Sequence, residues 1–309
     1  DLPDRAQVVI IGGGVIGTSV AYHLATLGWT DVVLLERDQL TSGPTWHAAG
    51  LIVSGGVTTE TLAWMTKYST DLYTGLEDET GLSTGFKPVG YLQTASNRDR
   101  MHKLRREADF LRLMGIEREE IGPREVAELW PHVDPSGVLG GFFTASEGRA
   151  DPYNVAMSLA AGARAGGVRI VQGTAVTGIE HAAGSVTGVA TERGTIEAEY
   201  VVNCAEMWAR QLGALAGVSV PLQAIEHAYL ITEPFEGVSP DLPIFEDPDR
   251  FAYHREETGG LMVGLFEPVA APWSTERIPD DFSFGEIPSN WDRLAPFLEY
   301  AMEILPGLT

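Results

Sequence analysis

Cysteine, lysine and long apolar runs are scarce in this chain. Cys204 is the only cysteine among 309 residues, so the chain can form neither an internal disulfide nor a Cys-x-x-Cys redox pair. The longest apolar run, residues 8–17, is too short to span a bilayer, and no basic, apolar signal sequence is visible. We therefore expect a protein of a reducing, cytoplasmic compartment. The bias toward 18 arginines over three lysines hints at a bacterial origin.

Positive charge is scarce as well. The chain has 21 basic and 43 acidic residues, which gives a net charge of −22. Such a charge repels phosphate backbones, so neither nucleic acid nor an anionic membrane is expected as a partner. It does not argue against a nucleotide that backbone N–H groups hold. The length suggests about two domains, and no metal site is predicted.

Short β-branched runs and amphipathic stretches alternate along the first part of the chain. Residues 7–12 predict a buried parallel strand, 15–27 a helix and 31–35 a second strand, which together form a βαβ unit. Further helices are predicted at 59–79, 98–114, 151–165, 208–215 and 291–305. Further strands are predicted at 86–94, 168–171, 175–180, 185–191, 197–204, 222–232, 251–255 and 260–265.

A glycine-rich loop joins the first predicted strand to the first helix. Gly12, Gly14 and Gly17 match the pattern G-x-G-x-x-G. The first glycine permits a tight turn, the second lets a pyrophosphate approach the backbone, and the third lets helix and strand pack closely. Glu36 lies 24 residues after Gly12, where a carboxylate can accept hydrogen bonds from ribose hydroxyls. Strand, helix and acid together favour a nucleotide site over a chance glycine cluster.

The loop alone does not choose between NAD and FAD. A flavoprotein that also uses NAD(P) normally needs a second nucleotide loop, and the sequence contains none. Either the single site holds NAD, or it holds FAD and the electrons leave by another route. The single cysteine excludes the disulfide-reductase class of flavoenzymes.

The stretch LTSGPTWHAAGL, residues 40–51, distinguishes these alternatives. It resembles the flavin domain of the dimethylglycine and sarcosine dehydrogenase/oxidase family, within the D-amino-acid-oxidase-like flavoenzymes. The resemblance implies that His47 is bonded through its ring to the 8α-methyl of FAD and that Ser42 also contacts the cofactor. Spacing alone favours a structural histidine packed under Trp46, whereas the whole motif favours the flavin bond.

Other segments resemble the same family in order and spacing, among them DPYNVAMSLAAGARAGGV at 151–168 and FAYHREETGGLMVGLFEP at 251–268. The resemblance implies an α/β fold with a discontinuous, Rossmann-like FAD-binding domain interleaved with an antiparallel-sheet substrate domain. We predict the FAD-binding domain at 1–85 and 146–218, and the substrate domain at 86–145 and 219–309.

Two departures from the family pattern stand out. The family usually has glycine where Glu206 stands in NCAEMW, at the end of a strand that approaches the cofactor, so a carboxylate there is expected to crowd or repel the pyrophosphate. The family's flavin domain also continues with a glycine-rich return segment, commonly followed by a folate-binding module. We therefore expect this chain to be a fragment and tetrahydrofolate to be a cofactor only of a longer chain.

The candidate catalytic residues come from the strand-rich second half. His227 and Tyr253 match positions that the resemblance assigns to the substrate site. Alternation places His227 on one face of a predicted strand, and Tyr253 and Arg255 on one face of the next, with His254 on the opposite face. We expect His227 to take up or relay the amine proton, Tyr253 to hydrogen-bond the amine, and Arg255 to pair with the substrate carboxylate. The alternative is a polar sheet face that carries no chemistry, and an outward-facing salt bridge is an equal alternative for Arg255.

These observations predict a flavoenzyme that oxidatively demethylates a small methylated amino acid such as dimethylglycine or sarcosine. Oxygen or an electron-transfer protein is the expected electron acceptor. The main alternative is a non-catalytic regulatory protein on the same fold, similar to the regulatory subunit of pyruvate dehydrogenase phosphatase, which lacks the linking histidine. An NAD-dependent dehydrogenase is a third alternative.

Overall fold

The computed structural model describes residues 2–274 and 276–308. Over these residues the chain forms fifteen strands. In chain order they are β1 Arg5–Ile11, β2 Val32–Leu35, β3 Leu51–Ile52, β4 Tyr91–Ala95, β5 Glu119–Ile121, β6 Gly140–Thr144, β7 Gly148–Arg149, β8 Arg169–Val171, β9 Val176–Ala182, β10 Ser185–Thr191, β11 Gly194–Asn203, β12 Tyr229–Ile231, β13 Ile244–Asp247, β14 Ala252–Glu257 and β15 Gly260–Leu265.

Seven α-helices accompany the strands in the described part of the chain. They are α1 Val15–Thr26, α2 Glu60–Thr80, α3 Arg98–Leu113, α4 Pro123–Leu129, α5 Pro152–Ala165, α6 Ala209–Leu215 and α7 Trp291–Ile304. The predicted cap of α5 is confirmed, because the Asp151 side chain accepts a hydrogen bond from the N–H of Asn154 at 2.9 Å. None of these helices has both the length and the apolar character needed to cross a membrane.

The first sheet has six strands in the order β8-β2-β1-β11-β10-β9. Four neighbouring strands, β8, β2, β1 and β11, are parallel, and a hairpin of β10 and β9 extends the edge in antiparallel pairing. Apolar side chains of β1 and β2 pack against α1 and α5, including Val8, Ile10, Leu34, Ala21 and Leu159. The carboxyl ends of β1 and β11 therefore meet at the start of α1, the edge at which such sheets bind nucleotides.

The second sheet has seven strands in the order β12-β15-β14-β13-β4-β6-β5. It is antiparallel apart from the β13–β4 pair, which is parallel. One face packs on α7 through a core that contains Leu294, Ala301 and Ile304. Strands of this sheet alternate along the chain with those of the first sheet, which confirms the interleaved α/β fold. The domain boundaries at residues 85, 145 and 218 remain a prediction.

The strand predicted at 222–232 is wrong for most of its length. Only Tyr229–Ile231 joins a ladder, and His227 precedes it. Strand β12 pairs with β15, and β15 pairs with β14, so the predicted neighbouring pair of strands is separated by a third strand. Phe251 also lies outside β14, with a left-handed φ of 56°. These pairings join distant segments, so alternation within one segment could not reveal them.

His254 lies in the core of the second sheet, on the face opposite Tyr253, as predicted. Its ring stacks on Phe245, with centroids 5.5 Å apart, and lies beside Trp130. Within the described residues neither ring nitrogen has a hydrogen-bond partner. Burial lowers the pKa of His254 to about 3, so the ring is neutral in the folded protein at neutral pH.

The stability of the protein should therefore fall in mild acid partly because of His254. The unfolded chain binds a proton at this residue near pH 6.5, and the folded protein binds one only near pH 3. The contribution of His254 to the free energy of unfolding is therefore fully present above pH 6.5 and is lost as the pH falls from 6.5 toward 3. We predict that the Tm of His254→Phe, which keeps an aromatic ring against Phe245, falls less than the wild-type Tm as the pH is lowered. Calorimetry across this range tests it.

The exposed His102 on α3 supplies a matched control. His102→Phe should keep the acid dependence of the wild-type Tm. If His254→Phe keeps it as well, His254 does not contribute to acid unfolding.

Candidate functional site

The β1–α1 turn is built on backbone contacts that exclude side chains. Gly12 has φ +114°, and a Cβ there would lie 2.3 Å from the carbonyl oxygen of Cys204. A Cβ on Gly17 would lie 1.8 Å from the carbonyl oxygen of Gly12. The turn and the close helix–strand packing expected of the first and third glycines are therefore present in the structure.

The N-terminus of α1 opens toward the loop that carries the histidine motif. Gly14 caps the helix without a side-chain hydrogen bond. The N–H of Val15 donates to the Thr45 hydroxyl at 3.0 Å, and a Cβ on Gly14 would lie 2.9 Å from the same oxygen. The partial positive charge of the helix N-terminus makes this end suited to a phosphate.

Glu36 lies at the end of β2, beside the same turn, and is buried. One of its carboxylate oxygens accepts the N–H of Gly13 at 2.7 Å, and the other accepts the N–H of Asp38 at 2.9 Å. Each oxygen can accept a further hydrogen bond. The residue is thus held at the carboxyl end of β2 with acceptor capacity left for a ribose hydroxyl.

His47 ends a short 3-10 turn, Pro44–His47. The indole of Trp46 stacks on its imidazole, with centroids 4.5 Å apart and planes at 7°. Burial lowers the pKa of His47, and the carboxylate of Glu286 opposes that shift. The ring is therefore neutral at neutral pH, as a nucleophilic imidazole must be. The stacking on Trp46 that the structural alternative expects is also present.

Ser42 and Gly50 flank this turn. Ser42 is buried, and its carbonyl accepts the N–H of Phe284 at 2.8 Å. Gly50 has φ +69°, and a Cβ there would lie 2.2 Å from the carbonyl oxygen of Ala150. The N–H of Ala150 donates to the Gly50 carbonyl at 2.9 Å. Both contacts hold the His47 segment against other parts of the chain.

Arg255 links the second sheet to the His47 segment. Its Nε donates to the carbonyl of Ala49 at 2.7 Å, and its Nη2 pairs with the carboxylate of Glu257 at 2.7 Å. Arg149 makes a second link, because it pairs with Leu51 in the β3–β7 ladder and forms an ion pair with Glu256. Two arginines thus fasten the segment after His47 to β14.

A cleft of about 260 Å³ lies between the His47 segment and the second sheet. Its wall includes His47, Tyr229 and Arg255. The other lining residues are Trp46, Ala48, Gly85, Lys87, Arg149, Ala150, Asp151, Pro152, Ile231, Glu257 and Met262. The structure therefore brings two of the predicted site residues, His47 and Arg255, together in one cleft, whereas His227 and Tyr253 are not among its lining residues.

His227 and Tyr253 also lie close together, although β15 separates their segments. Their ring centroids are 6.4 Å apart, and Phe266 lies 5.5 Å from His227 and 5.1 Å from Tyr253. A Cβ on Gly264 would lie 1.8 Å from Cζ of Tyr253, so the phenol lies across β15 toward His227. Gly264 is the residue that makes this contact possible.

Partial desolvation of His227, which is exposed on one side, and full burial of Tyr253 set the protonation of the two rings. Desolvation lowers the pKa of His227, opposed by the carboxylate of Glu267, and raises the pKa of Tyr253 to about 12. The Tyr253 hydroxyl is buried and has no hydrogen-bond partner within residues 2–274 and 276–308. A neutral imidazole and a protonated phenol are thus the forms present at neutral pH.

Several residues at the site were not predicted from the sequence. Thr45 contacts the start of α1, and Arg149 and Lys87 line the cleft. Arg149 precedes the Asp-Pro start of α5, which is the one local signal that could have drawn attention to it. The contacts of Thr45 and Lys87 are set by the packing of distant segments, which the sequence pattern does not encode.

Comparison with known proteins identifies the family. A family model described as FAD dependent oxidoreductase matches residues 7–309. This chain belongs to the FAD-dependent oxidoreductase family. FAD is thereby favoured over the NAD alternative, and the glycine turn, the open α1 N-terminus and Glu36 fit a dinucleotide of this kind.

Three curated relatives are similar over nearly the whole chain. The first is 4-methylaminobutanoate oxidase (formaldehyde-forming) of Paenarthrobacter nicotinovorans, 36% identical over 99% of this chain and 37% of that protein. The pyruvate dehydrogenase phosphatase regulatory subunit of Mus musculus is 38% identical over 99% of this chain and 35% of its own. Sarcosine dehydrogenase of Homo sapiens is 38% identical over 99% of this chain and 34% of that protein. This chain spans about a third of the length of these relatives.

A solved structure supports the same fold. L-proline dehydrogenase from P. horikoshii superposes with a TM-score of 0.86 and 26% identity, over 99% of this chain and 79% of that one. The family resemblance expected from the sequence is thus confirmed, together with the α/β FAD-binding fold.

Gly14 provides the first test of the nucleotide site. We predict that Gly14→Val abolishes FAD incorporation, because the new side chain would displace the Thr45 hydroxyl and cover the start of α1. The visible absorbance of the purified protein measures the FAD content, and far-UV circular dichroism shows whether the sheets remain folded.

The same substitution at Gly75, on α2, is a suitable control because a Cβ there meets nothing within 4 Å. Gly75→Val should retain its flavin. Normal flavin content in Gly14→Val would place the nucleotide elsewhere.

Proposed function

We propose that this chain carries the flavin and substrate sites of an oxidoreductase that removes a methyl group from the nitrogen of a small methylated amino acid. Dimethylglycine, sarcosine and 4-methylaminobutanoate are the proposed substrates. The observation that carries the proposal is the cleft that His47, Tyr229 and Arg255 line together. A neutral imidazole and a guanidinium in one cleft suit a flavin edge and a substrate carboxylate.

His47 is proposed as the point of covalent attachment of FAD. Its lowered pKa keeps the ring nucleophilic at neutral pH, and the Trp46 stack and the Arg255–Ala49 hydrogen bond fix its position. Gly12, Gly14, Gly17, Glu36 and Ser42 are proposed to hold the rest of the cofactor. When bound, FAD supplies the two-electron oxidant for the substrate.

Acid precipitation tests the attachment. We predict that the flavin of the wild-type protein stays with the acid-precipitated pellet, because a bond from the His47 ring to the isoalloxazine survives unfolding. His47→Ala should release all of its flavin into the supernatant, where its absorbance is measured.

His102→Ala, at an exposed position on α3, should behave as the wild type. If flavin leaves the wild-type pellet entirely, the covalent attachment is wrong, while the assignment to the FAD-dependent family is unaffected.

An N-methyl amine reacts only when its lone pair is free, so a proton must leave the ammonium form of the substrate. His227 is proposed to accept or relay this proton, since burial keeps its ring neutral at neutral pH. The unpartnered hydroxyl of Tyr253 is proposed to hydrogen-bond the amine. The phenol keeps its proton because burial raises its pKa to about 12.

Arg255 is proposed to bind the substrate carboxylate. Among the contacts of residues 2–274 and 276–308, its donors to Ala49, Glu256 and Glu257 leave two of the five guanidinium N–H groups for a ligand. Burial lowers the pKa of Arg255 but leaves it charged at neutral pH. A fixed, partly paired guanidinium in the cleft wall orients a carboxylate without a change of rotamer.

Substitutions at His227 and Tyr253 test the catalytic assignment. We predict that His227→Gln slows flavin reduction by roughly 10²–10⁴-fold, the usual effect of losing a positioned acid–base group. Tyr253→Phe should cost less, because it removes one hydrogen bond and keeps the ring over Gly264. Anaerobic stopped-flow experiments with dimethylglycine, sarcosine and 4-methylaminobutanoate measure the rate of flavin reduction in both variants.

The pH dependence separates this role from packing. Burial lowers the pKa of His227, so the rate of flavin reduction by the wild-type protein should fall on the acid side with an apparent pKa below the ordinary histidine value of 6.5. This acid limb of the pH–rate profile should disappear in His227→Gln. Wild-type rates in both variants would show that the two rings only line the sheet. Reduction by none of the three substrates would contradict the substrate class but not the flavin site.

A regulatory, non-catalytic role is the second candidate, because the regulatory subunit of pyruvate dehydrogenase phosphatase from Mus musculus is 38% identical over 99% of this chain. His47 favours the enzyme, since the covalent flavin bond requires a histidine there. A wild-type protein that binds FAD without any reduction by methylated amines would favour the regulatory role.

A further inference from the structure

We propose that Glu206 weakens the reversible binding of FAD, so that the protein depends on the bond to His47 to retain its cofactor. This inference rests on the covalent attachment proposed above. It concerns a residue that takes no part in the chemistry and that lies at the cofactor edge of the first sheet.

The position of Glu206 follows from the packing of β11 against the nucleotide turn. Asn203, the last residue of β11, pairs with Ile11, the last residue of β1. A Cβ on Gly12 would lie 2.3 Å from the carbonyl oxygen of Cys204 and 3.2 Å from the nitrogen of Ala205. Glu206 is the next residue. It therefore follows directly on the two residues that touch the nucleotide turn, at the carboxyl edge where dinucleotides bind.

The backbone of Glu206 has a conformation that suits glycine. Its φ is +48°, in the left-handed region that a residue with a Cβ rarely adopts. Its side chain is exposed, and the carboxylate accepts the N–H of the next residue, Met207, an uncharged donor. Desolvation raises the pKa of this carboxyl, and the Met207 N–H opposes that shift, so an uncharged donor holds the carboxylate on the open side of the turn.

The link around Glu206 is held by the side chain of Asn203. The amide of Asn203 donates to the carbonyl of Ala209 at 2.9 Å, and its oxygen accepts the N–H of Ala205 at 3.1 Å. These two bonds shape the link from β11 to the 3-10 turn Glu206–Trp208 and α6. Glycine at 206 would keep both of them, so the carboxylate can be removed with the turn intact.

A carboxylate at this edge opposes a pyrophosphate. The cofactor brings two negative charges to a protein whose net charge is already −22. Repulsion between charges a few ångströms apart in a partly solvated crevice changes an affinity by about tenfold, and salt reduces the effect. A covalent bond to His47 would retain a cofactor that reversible contacts hold poorly.

Removing the covalent bond exposes the effect of Glu206. In full-length His47→Ala protein, FAD binding is reversible, and its dissociation constant is measured by FAD fluorescence at low and high salt. We expect Glu206→Gly in this background to bind FAD at least about tenfold more tightly and to retain it through gel filtration. Glu206→Gln, which keeps the size, should recover part of the gain and lose most of the salt dependence.

Ala183→Gly is the matched control. Ala183 has a left-handed φ of 51° in the exposed turn between β9 and β10, so glycine relieves a similar strain far along the sheet edge. This variant should gain stability without any gain in FAD affinity. Thermal unfolding of each apoprotein confirms that the folds are comparable.

Unchanged or weaker FAD binding in both Glu206 variants would overturn the inference, and would assign the carboxylate a neutral or favourable contact with the cofactor. A gain in FAD affinity in Glu206→Gly but not in Glu206→Gln would show that the Glu206 side chain only crowds the cofactor. That result would overturn the proposed repulsion between its carboxylate and the pyrophosphate. If the wild-type flavin proves to be non-covalent, the proposed attachment fails separately, and the same affinity comparison is made with His47 in place.

Discussion

The contact of the β1–α1 turn with the end of β11 is the constraint on which the rest of the site depends. Gly12 faces the carbonyl of Cys204, and Gly17 faces the carbonyl of Gly12, at separations that admit no Cβ. Backbone therefore packs on backbone, and α1 starts directly over the carboxyl ends of β1 and β11. Glu36 and Glu206 lie at the same edge for this reason. One carboxylate is bound by the turn and the other remains exposed beside it.

A second constraint joins the nucleotide edge to the substrate sheet. The segment after His47 is held from one side by the Gly50–Ala150 contact and from the other by the Arg255–Ala49 hydrogen bond. A buried arginine that donates to a main-chain carbonyl positions the backbone rather than a flexible side chain. These contacts of the fold itself set the distance between the segment after His47 and the second sheet.

Local patterns predicted the features that local physics determines. The βαβ unit and the glycine turn lie within one short segment, residues 5–35, and the Asp151 cap depends on adjacent residues; the structure confirms them. The placement of His227 was predicted through a strand that does not extend that far. Its true neighbours, Phe266 and Tyr253, reach it because β15 carries a glycine at 264. Cross-strand order and the two arginine links depend on pairings between distant segments, which alternation within one segment does not contain.

Three histidines show why perturbed protonation alone does not identify a catalytic group. Burial lowers the pKa of His47, His227 and His254, and the shift is large only for His254, to about 3. That ring nevertheless faces the apolar core, where no ligand can reach it. His47 lines a cleft and His227 stacks on the unpartnered phenol of Tyr253. Desolvation makes all three rings neutral, and access decides which of them can act on a substrate.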